Sequence, residues 1–298
     1  MKLSGLHFLL TFQCTFECDH CFVWGSPWQT GMFTLPQIRR VLQRGQEHGI
    51  QAVCFEGGEP FLYYATLLCA VREAHRMGFS VGIVSNSYWA TSVEDALEYL
   101  RPFVGLVGDL SISSDLYHYS EKLSQQANNA RVAAEQLGIP TGVISIAQTE
   151  DINAARVTGQ LPTGESGVMY RGRAADQLAS KVERQPWEQF AECPHEDLRD
   201  PGRVHVDPFG NLHVCQGISM GNIFSASLDE ICQAYSPEAH PIVGPLLQGG
   251  PAELVRRYGL AHEDGYADAC HLCYQARSSL REHFPDILGP DQMYGVTK

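Results

Sequence analysis

Leu6-His7-Phe8-Leu9-Leu10-Thr11-Phe12-Gln13-Cys14-Thr15-Phe16-Glu17-Cys18-Asp19-His20-Cys21 is the stretch that decides the fold. Leu6–Phe12 is an apolar run broken by His7 and Thr11, with the length and texture of a β-strand. It runs into Gln13-Cys14 without a small-residue cleavage site, so it does not read as a secretion signal. Cys14, Cys18 and Cys21 then follow in C-x3-C-x2-C spacing. Three thiolates so placed can hold three irons of a cubane cluster and leave one iron without a protein ligand; the metal itself deprotonates such thiols. Spacing alone leaves two other readings open: a zinc site that recruits a further ligand such as His20, or coincidence.

Further along, strand-like runs recur at Gln51–Phe55, Ser80–Ser85, Leu110–Ser113, Gly142–Ala147 and Gly167–Tyr170, with helical segments between them. The clearest helix starts at Thr34-Leu35-Pro36-Gln37, which carries the residues of a capping box. Ile38, Val41, Leu42 and Gly45 then share one face. Glu94–Leu100 and Ser120–Leu137 are further helices, the second stopped by Gly138-Ile139-Pro140. Strand–helix alternation implies a parallel sheet, because parallel neighbours need crossover connections. Near residue 185 the alternation stops. Arg203–Val206 and Asn211–Val214 flank Asp207-Pro208-Phe209-Gly210, a hairpin signature. Short helices are expected around Leu228–Tyr235, Ala252–Tyr258 and Cys273–Phe284, and an irregular tail after Pro285.

The whole chain has 298 residues, 44% of them hydrophobic and 18% charged, enough to bury a real core. Lys and Arg total 21 against 34 Asp and Glu, a net charge of 21 − 34 = −13, which argues against nucleic acid as a partner. No apolar run reaches the length of a membrane span, so no membrane association is expected. Ten cysteines in a chain with its own core point to a reducing cytoplasm and metal sites rather than a disulfide framework.

Gly57-Gly58-Glu59-Pro60 follows the second strand. Two glycines there allow close backbone approach to a ligand, and Glu59 can accept from an ammonium group; an ordinary strand-to-helix turn has the same composition. C-x3-C-x2-C after the first strand together with GGEP after the second resembles the radical S-adenosylmethionine (radical SAM) superfamily. That resemblance implies an α/β fold, a partial (β/α)6 TIM-like barrel over residues 1–185. It implies that Cys14, Cys18 and Cys21 hold a 4Fe-4S cluster whose open iron binds SAM. His20 stands where the family has an aromatic residue near the adenine. Gly57, Gly58 and Glu59 would hold the methionine amino group. Ser85-Asn86 and Ser113-Ser114-Asp115 end strands three and four, like family positions near the methionine and ribose, although Ser and Asn are also ordinary turn formers. Arg171 and Arg173 would meet the cofactor carboxylate or an anionic substrate, or be solvated. Glu56, just before GGEP, departs from the family's small or hydroxyl residue and either faces the substrate or is solvated.

Cys193, Cys215, Cys270 and Cys273 are enough for a fully ligated metal site, and zinc fits them as well as iron on chemistry alone. Their pattern is similar to the auxiliary-cluster domain called Twitch, the shortened form of SPASM. The resemblance therefore implies a second domain, residues 186–298, with one auxiliary 4Fe-4S cluster; the spacing at Cys193 is slightly long for it. Cys54, Cys69 and Cys232 are left over, and buried free cysteine is a common small hydrophobe. As functional residues, Cys54 or Cys232 would return a hydrogen atom to a substrate radical, and Cys54 has the better location.

The implied activity is reductive cleavage of SAM to a 5′-deoxyadenosyl radical, with an external reductant such as flavodoxin or ferredoxin. The radical abstracts hydrogen from a small polar substrate, leading to oxidation or epimerisation. A peptide-modifying maturase is the alternative; the early start of the barrel, with no room before it for a leader-binding domain, favours the small substrate. A reading of another class is a non-catalytic Fe–S or zinc protein for binding or electron transfer.

Overall fold

The computed structural model describes residues 1, 3–121 and 123–296. Its first half alternates β1 (Gly5–Thr11), α1 (Leu35–His48), β2 (Ala52–Gly57), α2 (Tyr64–Arg76), β3 (Ser80–Ser85), α3 (Val93–Leu100), β4 (Asp109–Ser113), α4 (Gln125–Leu137), β5 (Thr141–Ile144) and α5 (Thr149–Thr158). The five strands pair in parallel in chain order. Helix ends follow the expected chemistry. Thr34 and Gln37 form the capping box of α1, and Gly49 closes it in the left-handed conformation at φ 91°. Ser124 caps α4 and Gly138 ends it, so this helix begins at Gln125, later than the Ser120 start expected.

Period-two alternation gives the sheet two different faces. The outer face carries Leu6, Phe8, Leu10, Val53, Phe55, Val81, Ile83, Leu110 and Ile112 against the helices, all buried. Each such side chain contributes about 2 kcal/mol relative to exposure. The inner face carries His7, Cys54, Glu56, Gly82 and Ser111, half-buried around a cavity of ≈ 850 Å³. Polar residues are tolerated there because the cavity leaves them partly hydrated.

The expected sixth strand, Gly167–Tyr170, is not a strand. Among the described residues the preceding Ser166 forms an isolated bridge with Ile146, just beyond β5. Val168 and Tyr170 bury their side chains in a separate cluster with Leu178, Val182 and Ala267, and the Tyr170 N–H goes to Asp268 Oδ2 at 3.2 Å instead of a neighbouring strand. The chain continues through α6 (Arg173–Gln177) and β6 (Gln185–Pro186) to β7 (Arg203–Val206), β8 (Asn211–Cys215) and β9 (Ile218–Asn222). β7 and β8 form the expected hairpin, but β7 also pairs in parallel with β1. One eight-stranded sheet, ordered β5-β4-β3-β2-β1-β7-β8-β9, therefore runs across residue 185.

Three helices and a short strand follow: α7 (Leu228–Ala234), α8 (Val243–Tyr258), β10 (Gly265–Tyr266, paired with β6) and α9 (Ala269–Leu280). α8 starts well before the expected Ala252 and kinks at Gly249-Gly250, where a Cβ on Gly250 would lie 2.3 Å from the Glu192 nitrogen. α9 starts at Ala269, capped by Asp268. The tail includes a 3₁₀ turn, Asp291–Tyr294, whose Met293 and Tyr294 are buried with Leu288 in the C-terminal core. Among the described residues no helix is long and apolar enough to cross a membrane.

Candidate active site

The C-terminal ends of β1 to β4 converge on a cavity of ≈ 250 Å³. Cys14, Cys18, His20, Cys21, Gly57, Gly58, Ser85, Asn86 and Ser113 all line it, so the fold brings together residues from four separate strand ends. Burial pushes the Cys14 thiol up to about 12 and that of Cys18 higher still, so neither ionises at neutral pH unless a cation compensates. Donors already face the sulfurs: the Phe16 N–H and Asn86 Nδ2 reach Cys14 Sγ at 3.4 and 3.5 Å, and the Gly25 N–H reaches Cys21 Sγ at 3.2 Å. Buried thiols, converging and supplied with N–H donors, suit metal-bound thiolate.

The two glycines serve the strands themselves. A Cβ on Gly58 would sit 2.0 Å from the Gln13 carbonyl oxygen, and one on Gly57 2.4 Å from that of Thr11. Their absence lets the Gly58 and Glu59 N–H groups bond Thr11 O and Gln13 O at 2.7 and 2.8 Å. Glu59 is fully buried behind the cavity. Its carboxylate accepts from the Phe61 N–H (3.0 Å), Ser85 Oγ (2.9 Å) and the Asn86 N–H (2.8 Å). Burial raises its pKa to about 7 despite those bonds.

Asp115 is buried after β4. Its Oδ1 accepts from the Tyr117 N–H, the His118 N–H and His118 Nδ1, at 2.9, 3.1 and 2.8 Å. Burial opposes its ionisation, but these donors hold it below the usual range. His20 Nε2 lies 3.6 Å from Asp115 Oδ2, and its ring stacks on Tyr117 at 4.9 Å. Burial lowers His20 to about 4, and its Nδ1 has no partner.

Arg173 clamps the cysteine loop. Its guanidinium donates to the Cys18 and Gly25 carbonyls, each at 2.8 Å, and stacks over Trp24 at 5.3 Å. Gly172, at φ 61°, packs against the Cys21 carbonyl, where a Cβ would approach to 2.6 Å.

Arg171, expected beside the cofactor, lies elsewhere. It lines a second pocket with Cys193, Cys215, Cys270, Cys273 and Arg277, and donates to Cys215 Sγ and Glu196 Oε1, both at 3.2 Å. The fold thus converges all four C-terminal cysteines. Burial pushes the Cys273 thiol up to about 11, against the opposing charge of Arg277. Four thiolates around a 2+ core carry two negative charges, and the two buried guanidiniums supply two positive ones, so the donor set fits a closed metal site.

Cys232 is placed on α7, packed toward α1 with its Sγ 3.9 Å from His48 Nε2, on the outer side of the sheet and away from the cavity. Cys54 faces inward, with His7 and Glu56 ligand atoms within 4.8 Å. Burial pushes its thiol far up, so it stays S–H. Cys69 is exposed.

Glu56 faces the inner cavity rather than solvent. Its Oε1 accepts from His7 Nδ1 at 2.9 Å and His205 Nε2 at 3.0 Å. Sequence reasoning missed both imidazoles; the available signal was a histidine at an inward position of an otherwise apolar strand, and His7 and His205 are register partners on β1 and β7.

Residues 8–132 match the radical SAM superfamily. They form a radical SAM domain. Such a domain implies SAM and a 4Fe-4S cluster, and the mostly parallel α/β sheet is consistent with its partial barrel. A Fibrobacter sp. (strain UWH6) protein described as an S-adenosylmethionine-dependent nucleotide dehydratase is 24% identical over 154 residues, 46% of this chain and 42% of that protein. A Bacillus subtilis (strain 168) protein described as putative peptide biosynthesis protein YydG is 32% identical over 108 residues, 36% of this chain and 34% of that one. The chain thus spans less than half the length of these curated relatives. The solved structure of native anSMEcpe with bound AdoMet and Cp18Cys peptide overlays with TM-score 0.54 at 12% identity, covering 95% of this chain and 97% of that one, a likeness of fold. The radical SAM match ends at residue 132, so the four C-terminal cysteines lie outside it.

Proposed function

We propose that the chain is a radical SAM enzyme in which Cys14, Cys18 and Cys21 ligate three irons of the cluster and SAM fills the ≈ 250 Å³ cavity. The supporting observation is that these three thiols, two buried and that of Cys21 half-buried, open onto the same cavity as Gly57, Gly58, Ser85, Asn86 and Ser113. When bound, the cluster and SAM supply a 5′-deoxyadenosyl radical that takes a hydrogen atom from a substrate carbon. His20, stacked on Tyr117 beside Asp115, binds the adenosine side. Gly57, Gly58 and Asn86 border the methionine side, and Glu59 braces them from behind. The hydrophobic lining of Phe16, Val84 and Ile146 excludes water.

The C-terminal segment, 186–298, serves as a Twitch/SPASM-like module. Cys193, Cys215, Cys270 and Cys273 hold an auxiliary 4Fe-4S cluster, with Arg171 and Arg277 as its counter-charges. When bound, such a cluster would accept the electron given up as a substrate radical is oxidised to product, and an external flavodoxin or ferredoxin would supply the electron for the first cluster. The substrate is a small polar molecule or a peptide side chain reaching through the ≈ 850 Å³ cavity; the YydG relative supports the peptide form. Where the outcome is epimerisation, Cys54 returns the hydrogen atom.

The test is anaerobic reconstitution followed by dithionite and SAM. Formation of 5′-deoxyadenosine, lost in Cys18→Ala, supports the enzyme, and its absence in the wild type sinks it. About eight irons per chain supports two clusters, whereas about four irons with one zinc removes the auxiliary one.

A further inference from the structure

Glu56 occupies the junction of the two cavities: it lines both the ≈ 250 Å³ pocket at the strand ends and the ≈ 850 Å³ pocket on the inner face. Val84 and Ile144 are shared in the same way, so the pockets communicate past this carboxylate. Burial works against its charge, but hydrogen bonds from His205 and His7 outweigh that and hold the carboxyl well below the usual carboxylate range. Both imidazoles meet Oε1, which keeps the second oxygen for a ligand. Among the described residues these two imidazoles are its only ion-pairing partners.

The surrounding charge has the same sign. Asp109, Glu196 and Asp197 line the larger cavity with Glu56, and among the described residues Arg203 is the one lysine or arginine on its wall. Glu196 is paired with Arg171, which leaves Glu56, Asp109 and Asp197 against the single positive charge of Arg203. A carboxylate kept ionised in a half-buried, acceptor-rich cavity gains most from a charged donor and rejects an anion.

We propose that Glu56, fixed between His7 and His205, is the substrate-recognition carboxylate of this enzyme and takes a cationic nitrogen group, an ammonium or a guanidinium. Cation docking at the junction sets the carbons next to that nitrogen against the cofactor pocket, and places Cys54, two residues earlier on the same face of β2, on the opposite side of the docked group from the cofactor. The same site disfavours phosphate, so an amine or a lysine- or arginine-bearing peptide fits and a nucleotide does not. This inference rests on the reading of the ≈ 250 Å³ pocket as the SAM site.

The experiment is isothermal titration calorimetry of the reconstituted, SAM-loaded protein with four short-chain probes: n-butylammonium, n-butylguanidinium, n-butanol and n-butyrate. Saturable binding of at least one cation is expected, about tenfold or more tighter than butanol, with no binding of butyrate. The tighter of the two cations names the substrate's group. Glu56→Gln is expected to weaken cation binding about tenfold or more. Should Glu56→Gln misfold, the wild-type comparison stands by itself, joined by cation-dependent shifts of the His7 and His205 ring carbons in the NMR spectrum. Butanol binding as tightly as the cations, butyrate binding, no cation binding, or undiminished binding in a folded Glu56→Gln overturns the proposal. Because the titration does not use SAM cleavage, 5′-deoxyadenosine formation without cation binding fails this inference alone, and cation binding without 5′-deoxyadenosine fails the enzyme reading alone.

Discussion

Glu59 Oε2 accepts the backbone N–H of Asn86 at 2.8 Å, and this bond ties the end of β2 to the end of β3. The other oxygen holds Ser85 and Phe61, so the carboxylate acts as an internal brace for the wall of the ≈ 250 Å³ cavity. Its position makes the brace sensitive to pH. Burial raises its pKa from 4.5 to about 7. Between those values the folded state holds a proton that the unfolded state has released, so stability falls as pH rises through this window and levels off above it. The fall is on the order of 3 kcal/mol. Glu59→Gln is expected to cost stability at low pH, through the lost acceptor, and to flatten this slope. Urea midpoints from pH 4 to 8 check it; parallel curves for wild type and variant refute the assignment.

Arg173→Ala removes two donors, leaving the buried Gly25 carbonyl without a donor among the described residues and the Cys18 carbonyl with only the Cys21 N–H. The cost is roughly 1–3 kcal/mol for the Gly25 carbonyl and less for that of Cys18. Because both carbonyls belong to the cysteine loop, iron loading at Cys14, Cys18 and Cys21 falls with stability. Arg173→Lys, which can satisfy one carbonyl, recovers part of each. Iron content and melting temperature are the measurements, and a fully loaded, fully stable Arg173→Ala is the result that refutes the clamp.

Arg277 is buried against the C-terminal cysteines, hydrogen-bonded to Cys273 and donating to the Gln216 carbonyl. Arg277→Met keeps its bulk and removes one positive charge. An auxiliary cluster there becomes harder to reduce, so its midpoint potential moves to more negative values in an EPR-monitored titration. An unchanged potential in a cluster-replete variant contradicts the counter-charge role.

Cys54 and Cys232 separate cleanly. Cys232→Ala, on the outer side of the sheet, costs about 1 kcal/mol of packing and leaves 5′-deoxyadenosine yield unchanged. Cys54→Ala removes the inward thiol and abolishes incorporation of solvent deuterium into an epimerised product. Deuterium incorporation that depends on Cys232 instead is incompatible with this geometry.

Local pattern carried much of the fold. Strand Ser80–Ser85 and the Thr34–Gln37 capping box stand where alternation and spacing put them, because both are set by residues within a few positions of each other. Three cysteines on one loop were equally legible. Pairings between distant segments were not. Gly167–Tyr170 has strand composition, yet its backbone and side chains find partners near Asp268 and Ala267, about a hundred residues away in the chain. Arg171 and Arg173 are two residues apart and serve different cysteine groups, which no periodicity reports. His7, Glu56 and His205 meet only because β7 joins β1.

That pairing also orders the assembly of the protein. During synthesis β1 can pair with β2 as soon as the first sixty residues have emerged, but its other edge stays bare until residues 203–206 arrive. A bare apolar edge invites wrong partners, and closing so long a loop is slow. The same late strand delivers His205, so the Glu56 cluster between the two cavities is completed only after β7 has emerged. A truncated or nascent chain would own Cys14, Cys18 and Cys21 and still lack one of the two imidazoles that fix Glu56.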